Sequence, residues 1–390
     1  MVAVAAMVGY ATWRDASPTA AGDTIEPSIG LPGSPPTSRD GLTKRLSAME
    51  SRLAAQPDDV GAAVLFVEAA LRQMRVGVDP LLVTRAEQVM NRALIEAPGH
   101  YDANRIRAEL YLAQHRFREA IAVVERTREI RPYDPINHGI LGDAHLELGE
   151  YDQAFDAFDH MMRLKPSAAA YARVAYAREL QGNLTGAVES MTLAVDATAP
   201  GDLEALAWHH AQVGELYLQL GKHQEAKGAF RSASHAFPGH PFAVTGYAKV
   251  VEAEGDVAGA LTLLRDLAER LPSPDHWVLV GDLLRRHQRH DEADRYDAMA
   301  EASWREDVRE PANFALFLAD RGRHLDEAVR LAEQAAAIRG DIFTEDALAW
   351  AYFKAGHIDD AKKFSARALR TGSKDRRIRA HAETIERSQS

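Results

Sequence analysis

The chain has 390 residues and no cysteine, with 57 Asp and Glu residues against 46 Lys and Arg, a formal net charge of −11. The missing cysteines exclude disulfides, thiolate nucleophiles, iron–sulfur clusters and cysteine-based zinc sites. The acidic balance argues against general nucleic-acid binding, whose affinity comes mainly from neutralising phosphates, and 46% apolar with 26% charged residues is ordinary for a soluble folded chain.

Residues 1–13 are apolar, with no charge until Arg14. A membrane-spanning helix needs roughly 20 such residues and a secretory core about 7–15, and this run lacks a basic flank. Two readings stay open: the end of a membrane anchor that starts further upstream, or a signal remnant or frayed apolar terminus. Residues 14–40 carry Pro18, Pro27, Pro32, Pro35 and Pro36 among glycines and serines. Such a segment buries too little apolar surface to offset chain entropy and reads as an extended linker. An apolar segment, a spacer and a folded body together suggest a domain tethered to the cell membrane on its extracytoplasmic side, periplasmic or extracellular.

Residues 41–57 read as a capping helix, and from 58 to 374 the chain repeats itself. Ala86, Ala120, Ala154, Ala187, Ala226, Ala260, Ala293, Ala328 and Ala361 are separated by 34, 34, 33, 39, 34, 33, 35 and 33 residues. A turn glycine precedes most of them by five or six positions: Gly149, Gly182, Gly221, Gly255, Gly322 and Gly356. Pro98, Pro132, Pro166, Pro238 and Pro272 follow by twelve. A helix does not continue comfortably through either residue, so each unit is helix, glycine turn, helix, proline break. Small residues in the first helices (Gly142, Ala175, Gly214, Ala248, Gly281, Ala315, Ala349) let the paired helices approach closely. Residues 375–390 include a polar helix that shields the last unit.

This pattern resembles the tetratricopeptide repeat (TPR) family. The unit holding Gly214, Tyr217, Ala226, Phe230, Ala233 and Pro238 shows every position of the family pattern. A second unit supplies Gly142, Ala154, Phe158 and Pro166, but has His145 and Met161 where an aromatic and an alanine are usual; Trp277 takes the family's tryptophan position in its own unit. The resemblance implies an all-α fold, a right-handed α-α superhelix of about nine helix-turn-helix repeats with capping helices at both ends. Three departures stand out. The first unit has an insertion at 76–83, the spacing of 39 before Ala226 predicts a long turn ahead of Asp202, and the eighth unit has one extra turn residue and ends without proline.

The resemblance also implies that the first helix of each unit lines a concave surface suited to an extended peptide. Its inner-face positions fall on Asp143, Glu147, Tyr176, Glu179, Trp208, Glu215, Leu218, Phe242, Lys249, Glu252, Asp282, Arg285 and Arg286. Among them, Asp143, Glu147, Tyr176, Glu179, Trp208, Glu215, Phe242 and Glu252 form the expected partner-binding set. Carboxylates beside aromatics favour a protein or peptide with basic and apolar side chains. The plainer alternative is that the acids are solvated helix faces. Phe158, Tyr217 and Phe230 fall in core phases, whereas Trp208 and Phe242 do not, so either exposure or packing fits them. The cationic pattern of a chaperone-tail clamp is missing, since the matching positions hold Arg105, Glu109, Gly139, Asp143, Ala172 and Tyr176.

No catalytic motif, cofactor fingerprint or small-molecule site is apparent. Gly214, Gly221 and Lys222 have the wrong spacing for a phosphate loop. His287, His290, Asp291 and Asp294 could approach one ion, but helix-end surface histidines explain them better. The expected function is therefore a non-enzymatic scaffold with no cofactor and no bound metal. It would hold a partner polypeptide in cell-envelope assembly or complex organisation, and touch the membrane through its N-terminal segment. The alternative is a permanent structural subunit of a membrane-associated complex, packed through the outer face or ends of the solenoid.

Overall fold

The computed structural model describes residues 39–77, 79 and 81–388; the apolar run and most of the linker lie outside them. Twenty α-helices and no strand occur among the described residues. A first helix, α1 (Arg39–Ala55), precedes nine hairpins. These are α2 (Val60–Val76) with α3 (Leu82–Glu96), α4 (Tyr101–Ala113) with α5 (Phe117–Ile130), and α6 (Pro135–Glu147) with α7 (Tyr151–Leu164). Then come α8 (Ala168–Leu180) with α9 (Leu184–Asp196), α10 (Leu203–Gln219) with α11 (His223–Ala236), and α12 (Pro241–Ala253) with α13 (Val257–Arg270). The last three are α14 (Pro274–Arg286) with α15 (His290–Glu306), α16 (Pro311–Arg321) with α17 (Leu325–Ile338), and α18 (Ile342–Lys354) with α19 (Ile358–Ala368); α20 (Arg376–Arg387) closes the array.

Local chemistry sets these boundaries. Asp134, Ser167, Asp202, Ser273 and Asp341 each accept a backbone N–H of the helix they precede, which satisfies donors that the helix itself cannot. Within each hairpin the helices meet over small residues. A Cβ on Gly142 would lie 2.3 Å from Phe158, and one on Gly214 would lie 2.6 Å from Phe230. Phe230 is wholly buried, worth about 1.5–3 kcal/mol against exposure. Among the described residues, eight of the nine turns show a left-handed residue at the matched position. It is glycine in six of them, but His115 (φ 59°) and Gln288 (φ 61°) in the second and seventh hairpins. The fold imposes the conformation there even where sequence gives no hint of it.

The superhelix is wound so tightly that its later hairpins touch its earlier ones. Arg72 on α2 donates to both oxygens of Asp202 at 2.8 and 2.9 Å, and Arg75 pairs with Glu204. Glu204 and His240 are wholly buried beside them, and Leu42 and Val76 pack into the cluster around Phe230 and Phe237. Further along, the turn after α6 meets the loop after α17. Gly340 N–H donates to the Glu147 carbonyl at 2.9 Å, Ile342 N–H donates to the Tyr151 hydroxyl at 2.8 Å, and Arg339 pairs with Glu147. His115 lies 3.3 Å from Glu310, and Arg376 donates to the Leu218 carbonyl at 3.0 Å.

Two sequence departures are explained by these contacts. The spacing of 39 does not lengthen a turn alone. It gives α10 seventeen residues where α4, α6, α8, α12, α14 and α18 have thirteen. Glu204, which receives Arg75, lies in the first turn of that longer helix. The missing proline after α17 leaves Arg339, Gly340 and Asp341, the residues that meet the earlier turn.

Gly149 tests this docking. It has φ +72°, and a Cβ there would lie 2.1 Å from the Gly340 carbonyl oxygen, whereas Gly356 has φ +86° and open space around it. Alanine at either position strains the backbone by about 1 kcal/mol. Only Gly149→Ala is expected to raise the radius of gyration in small-angle scattering. Equal scattering from the two variants would contradict contact between the turns.

Candidate functional site

The inner face carries a ladder of polar bonds, one between each successive pair of first helices from α6 onward. Asp143 accepts from Arg173 (3.0 and 2.6 Å), Glu179 from Gln219 (2.6 Å), and Glu215 from Lys249 (2.8 Å). Glu252 accepts from Arg286 (2.9 and 2.8 Å), Asp282 from Arg321 (2.6 Å), Asp320 from the Trp350 indole (2.7 Å), and Asp346 from Arg377 of α20 (3.2 Å). In every rung the acid sits on the earlier helix and the donor on the later one.

The expected contact residues are therefore distributed unevenly. Asp143 is wholly buried with Arg173, and Glu147 is buried against Arg339 at the contact between superhelical turns. Tyr176 is buried in the cluster that joins α6 and α8 to Ile342 and Ile378. Trp208 is 1% exposed and lies edge-on to His209, so it packs rather than projects. Phe242 is half-buried, tilted against His240 and shared between two core clusters. Glu179, Glu215 and Glu252 are half-buried. Among the rungs that are ion pairs, the most open are Glu215–Lys249 and Glu252–Arg286, with the cation 48% and 56% exposed. His287 also approaches Glu252, at 3.2 Å.

Burial sets the electrostatics of these acids. It pushes the Glu179 carboxyl up to about 7, with Asp375 and Glu215 adding to the rise and the Gln219 hydrogen bond opposing it. Glu204 goes the other way. Its burial alone would raise it, but Arg75 and His240 hold it well below the usual carboxylate range.

Sequence reading did not find the two open clefts, which lie on the edges of the ribbon and not on its inner face. One, of about 560 Å³, crosses the loops before α6, α8 and α10, and is lined by Arg131, Tyr133, Met161, Lys165, Asp202 and Ala205 among others. The other, of about 490 Å³, lies between the turn holding His115 and the loop holding Glu310. No group of three metal-ligating side chains occurs among the described residues. Asp294 is engaged by Arg285 at 3.0 Å, and His290 lies 3.2 Å from Gln288.

Two outcomes check the placement. Trp208→Ala removes a buried indole and is expected to cost about 3–5 kcal/mol, read as a lower urea midpoint by helical circular dichroism. For Glu179, the folded state holds the proton more tightly than the unfolded chain does. Its contribution is complete below pH 4.5, its ordinary value, and is lost as pH rises through about 7. The thermal midpoint should thus fall from about pH 5 to about pH 8 more in the native chain than in Glu179→Gln.

A family model described as tetratricopeptide repeat matches residues 83–135, 140–202, 214–273 and 248–307, more than half of the chain. No curated protein matches the sequence. Among solved structures, the Cut9–Hcn1 hetero-tetramer of the APC/C superposes with a TM-score of 0.52 at 12% identity, covering 89% of this chain but 59% of that one. The human IFIT1 dimer with m7Gppp-AAAA superposes with a TM-score of 0.54 at 13% identity, covering 86% of this chain and 77% of that one. At such identities the likeness is one of fold.

Proposed function

The chain belongs to the tetratricopeptide repeat family, and we propose that it is a scaffold that holds a partner polypeptide on its inner face at α10, α12 and α14. The observation that carries this reading is the pair of exposed rungs. Glu215–Lys249 and Glu252–Arg286 are surface ion pairs, which contribute roughly 0–1 kcal/mol each, so a partner's charges can replace them at little cost. A polypeptide with basic side chains would take the place of Lys249 and Arg286 and bind the two carboxylates. The buried Asp143–Arg173 rung between α6 and α8 cannot exchange this way, because separating a buried pair costs about 3–5 kcal/mol. Family membership fits a non-catalytic protein.

The proposal extends to location. The apolar residues 1–13 would meet a membrane and 14–40 would act as the spacer, placing the superhelix on the extracytoplasmic side in cell-envelope assembly or complex organisation. The order of these segments supports this. No helix among the described residues is long and apolar enough to cross a membrane.

The test is capture from native membranes, quantified by mass spectrometry, with the native chain and with the double variant Glu215→Lys/Glu252→Lys. Loss of the same proteins from the variant, with its circular dichroism unchanged, is the expected result. Equal recovery by both chains would remove the inner face as the docking surface.

A further inference from the structure

We infer that copies of this chain associate head to tail, the outward edge of the first winding in one copy seated on the outward edge of the last winding in the next. Stacked hairpins form a ribbon with two different edges. The turns within hairpins lie along one, and the loops that join successive hairpins lie along the other. Inside the molecule the two windings meet by opposite edges. The turns after α4, α6 and α8 face the loops before α16, α18 and α20. His115 lies 3.3 Å from Glu310, the Gly340 N–H donates to the Glu147 carbonyl at 2.9 Å, and a Cβ on Gly182 would lie 2.5 Å from the Gly372 carbonyl oxygen. That contact uses the turn edge of the first winding and the loop edge of the second. The other edge of each faces outward, at opposite ends of the superhelix.

The outward edges carry the same features as the docked ones. In the docked contact Ile338, the last residue of α17, lines the space that Phe117 and Leu148 bound from the other winding. At the same register, in the last turn of α3, α5 and α7, Ile95, Ile130 and Leu164 are exposed, the first two by 75% and 56%. Single exposed apolar side chains are ordinary, but one at the same place in three successive units makes a stripe along the edge. The turn edge shows the converse. Phe117, Tyr151 and Leu184, which open α5, α7 and α9 at the docked turns, are buried, whereas Val257, Leu325 and Ile358, which open α13, α17 and α19, stay half-buried. A Cβ on Gly255, Gly322 or Gly356 would meet nothing within 4 Å, against 2.1 Å for one on Gly149 at a docked turn.

Continuity with the contact between windings names the occupant. A turn edge with an apolar residue at each helix start already receives a loop edge with an apolar residue at each helix end, and a second copy of this chain offers each edge to the other. The two outward edges are different surfaces at different ends, so the contact is heterologous. Every copy gives one edge and receives on the other, and assembly proceeds past two chains into a ring or a continued superhelix.

The experiment is sedimentation velocity of the full chain at rising concentration, in which species larger than two chains are expected to accumulate. Ile95→Glu/Ile130→Glu blocks the loop edge at exposed positions. Leu325→Glu/Ile358→Glu blocks the turn edge at helix starts, where a negative charge suits the helix dipole, and circular dichroism checks that both variants keep the native helix content. Each variant alone should lose every species above one chain. Their equimolar mixture should recover dimers and nothing larger, because each retains one working edge. Should the turn-edge variant unfold, loss of assembly in the loop-edge variant decides alone. A native chain that stays single at every concentration or stops at two, or a mixture of folded variants that stays single, would overturn the inference. So would assembly that persists in the loop-edge variant, which keeps residues 1–13 and would then be associating through another surface.

Discussion

Arg72 and Arg75 reach Asp202 and Glu204 four hairpins further along the chain, and Arg339 reaches back to Glu147 across a similar stretch. Buried ion pairs of this kind add little net stability, because desolvation offsets most of the attraction, yet leaving one partner alone is expensive. Their effect is on register. A solenoid held only by contacts between neighbours could vary its pitch by small adjustments at each interface. Charges that must find one another across a full winding remove that freedom, since any other pitch would strand them in apolar surroundings. The burial of α6 on every side, with Ile140, Leu141, Asp143, Ala144 and Glu147 all inaccessible, follows from the same tight winding.

The hairpin repeat, its glycine turns and its two capping helices were legible because they obey local rules: a break every half unit, small residues where helices cross, and apolar positions at helical spacing. Contacts between windings obey no local rule. Nothing near Trp208 announces that its packing cluster draws on Ile342 and Ile378, far along the chain, as well as on its own hairpin and the preceding ones. Periodicity alone therefore could not decide between exposure and packing for that residue. The turn residues His115 and Gln288 were invisible for a different reason, because their left-handed conformation is set by closing the tight turn of their own hairpin and not requested by the side chain. The departures from the repeat carried more information than the repeat itself. A longer spacing and an absent proline, which look like irregularities on the page, are the places where distant hairpins touch.

The same tight winding changes what the inner face can offer. An acidic trough lined by aromatics would attract a basic partner through unbalanced charge. The folded chain has instead matched each acid of the ladder with a donor from the next repeat or the closing helix, tied Glu147 to Arg339, and withdrawn Tyr176 and Trp208 into the core. Recognition on that face must then be a substitution of one partner for another, confined to the rungs that water already reaches.

The polarity of the ladder has a bearing on how such an array can change in length. Each unit from the one beginning at α8 to the one beginning at α18 contributes an acid for its successor and a donor for its predecessor, so a duplicated or deleted unit brings or removes both halves of a bond. Arrays of different size could arise by whole-unit duplication without stranding a charge inside. The sections tied across the windings, at Asp202 and Gly340, would not tolerate that edit, because their partners lie a fixed distance away. Growth of the array is thereby channelled to the segments between those ties.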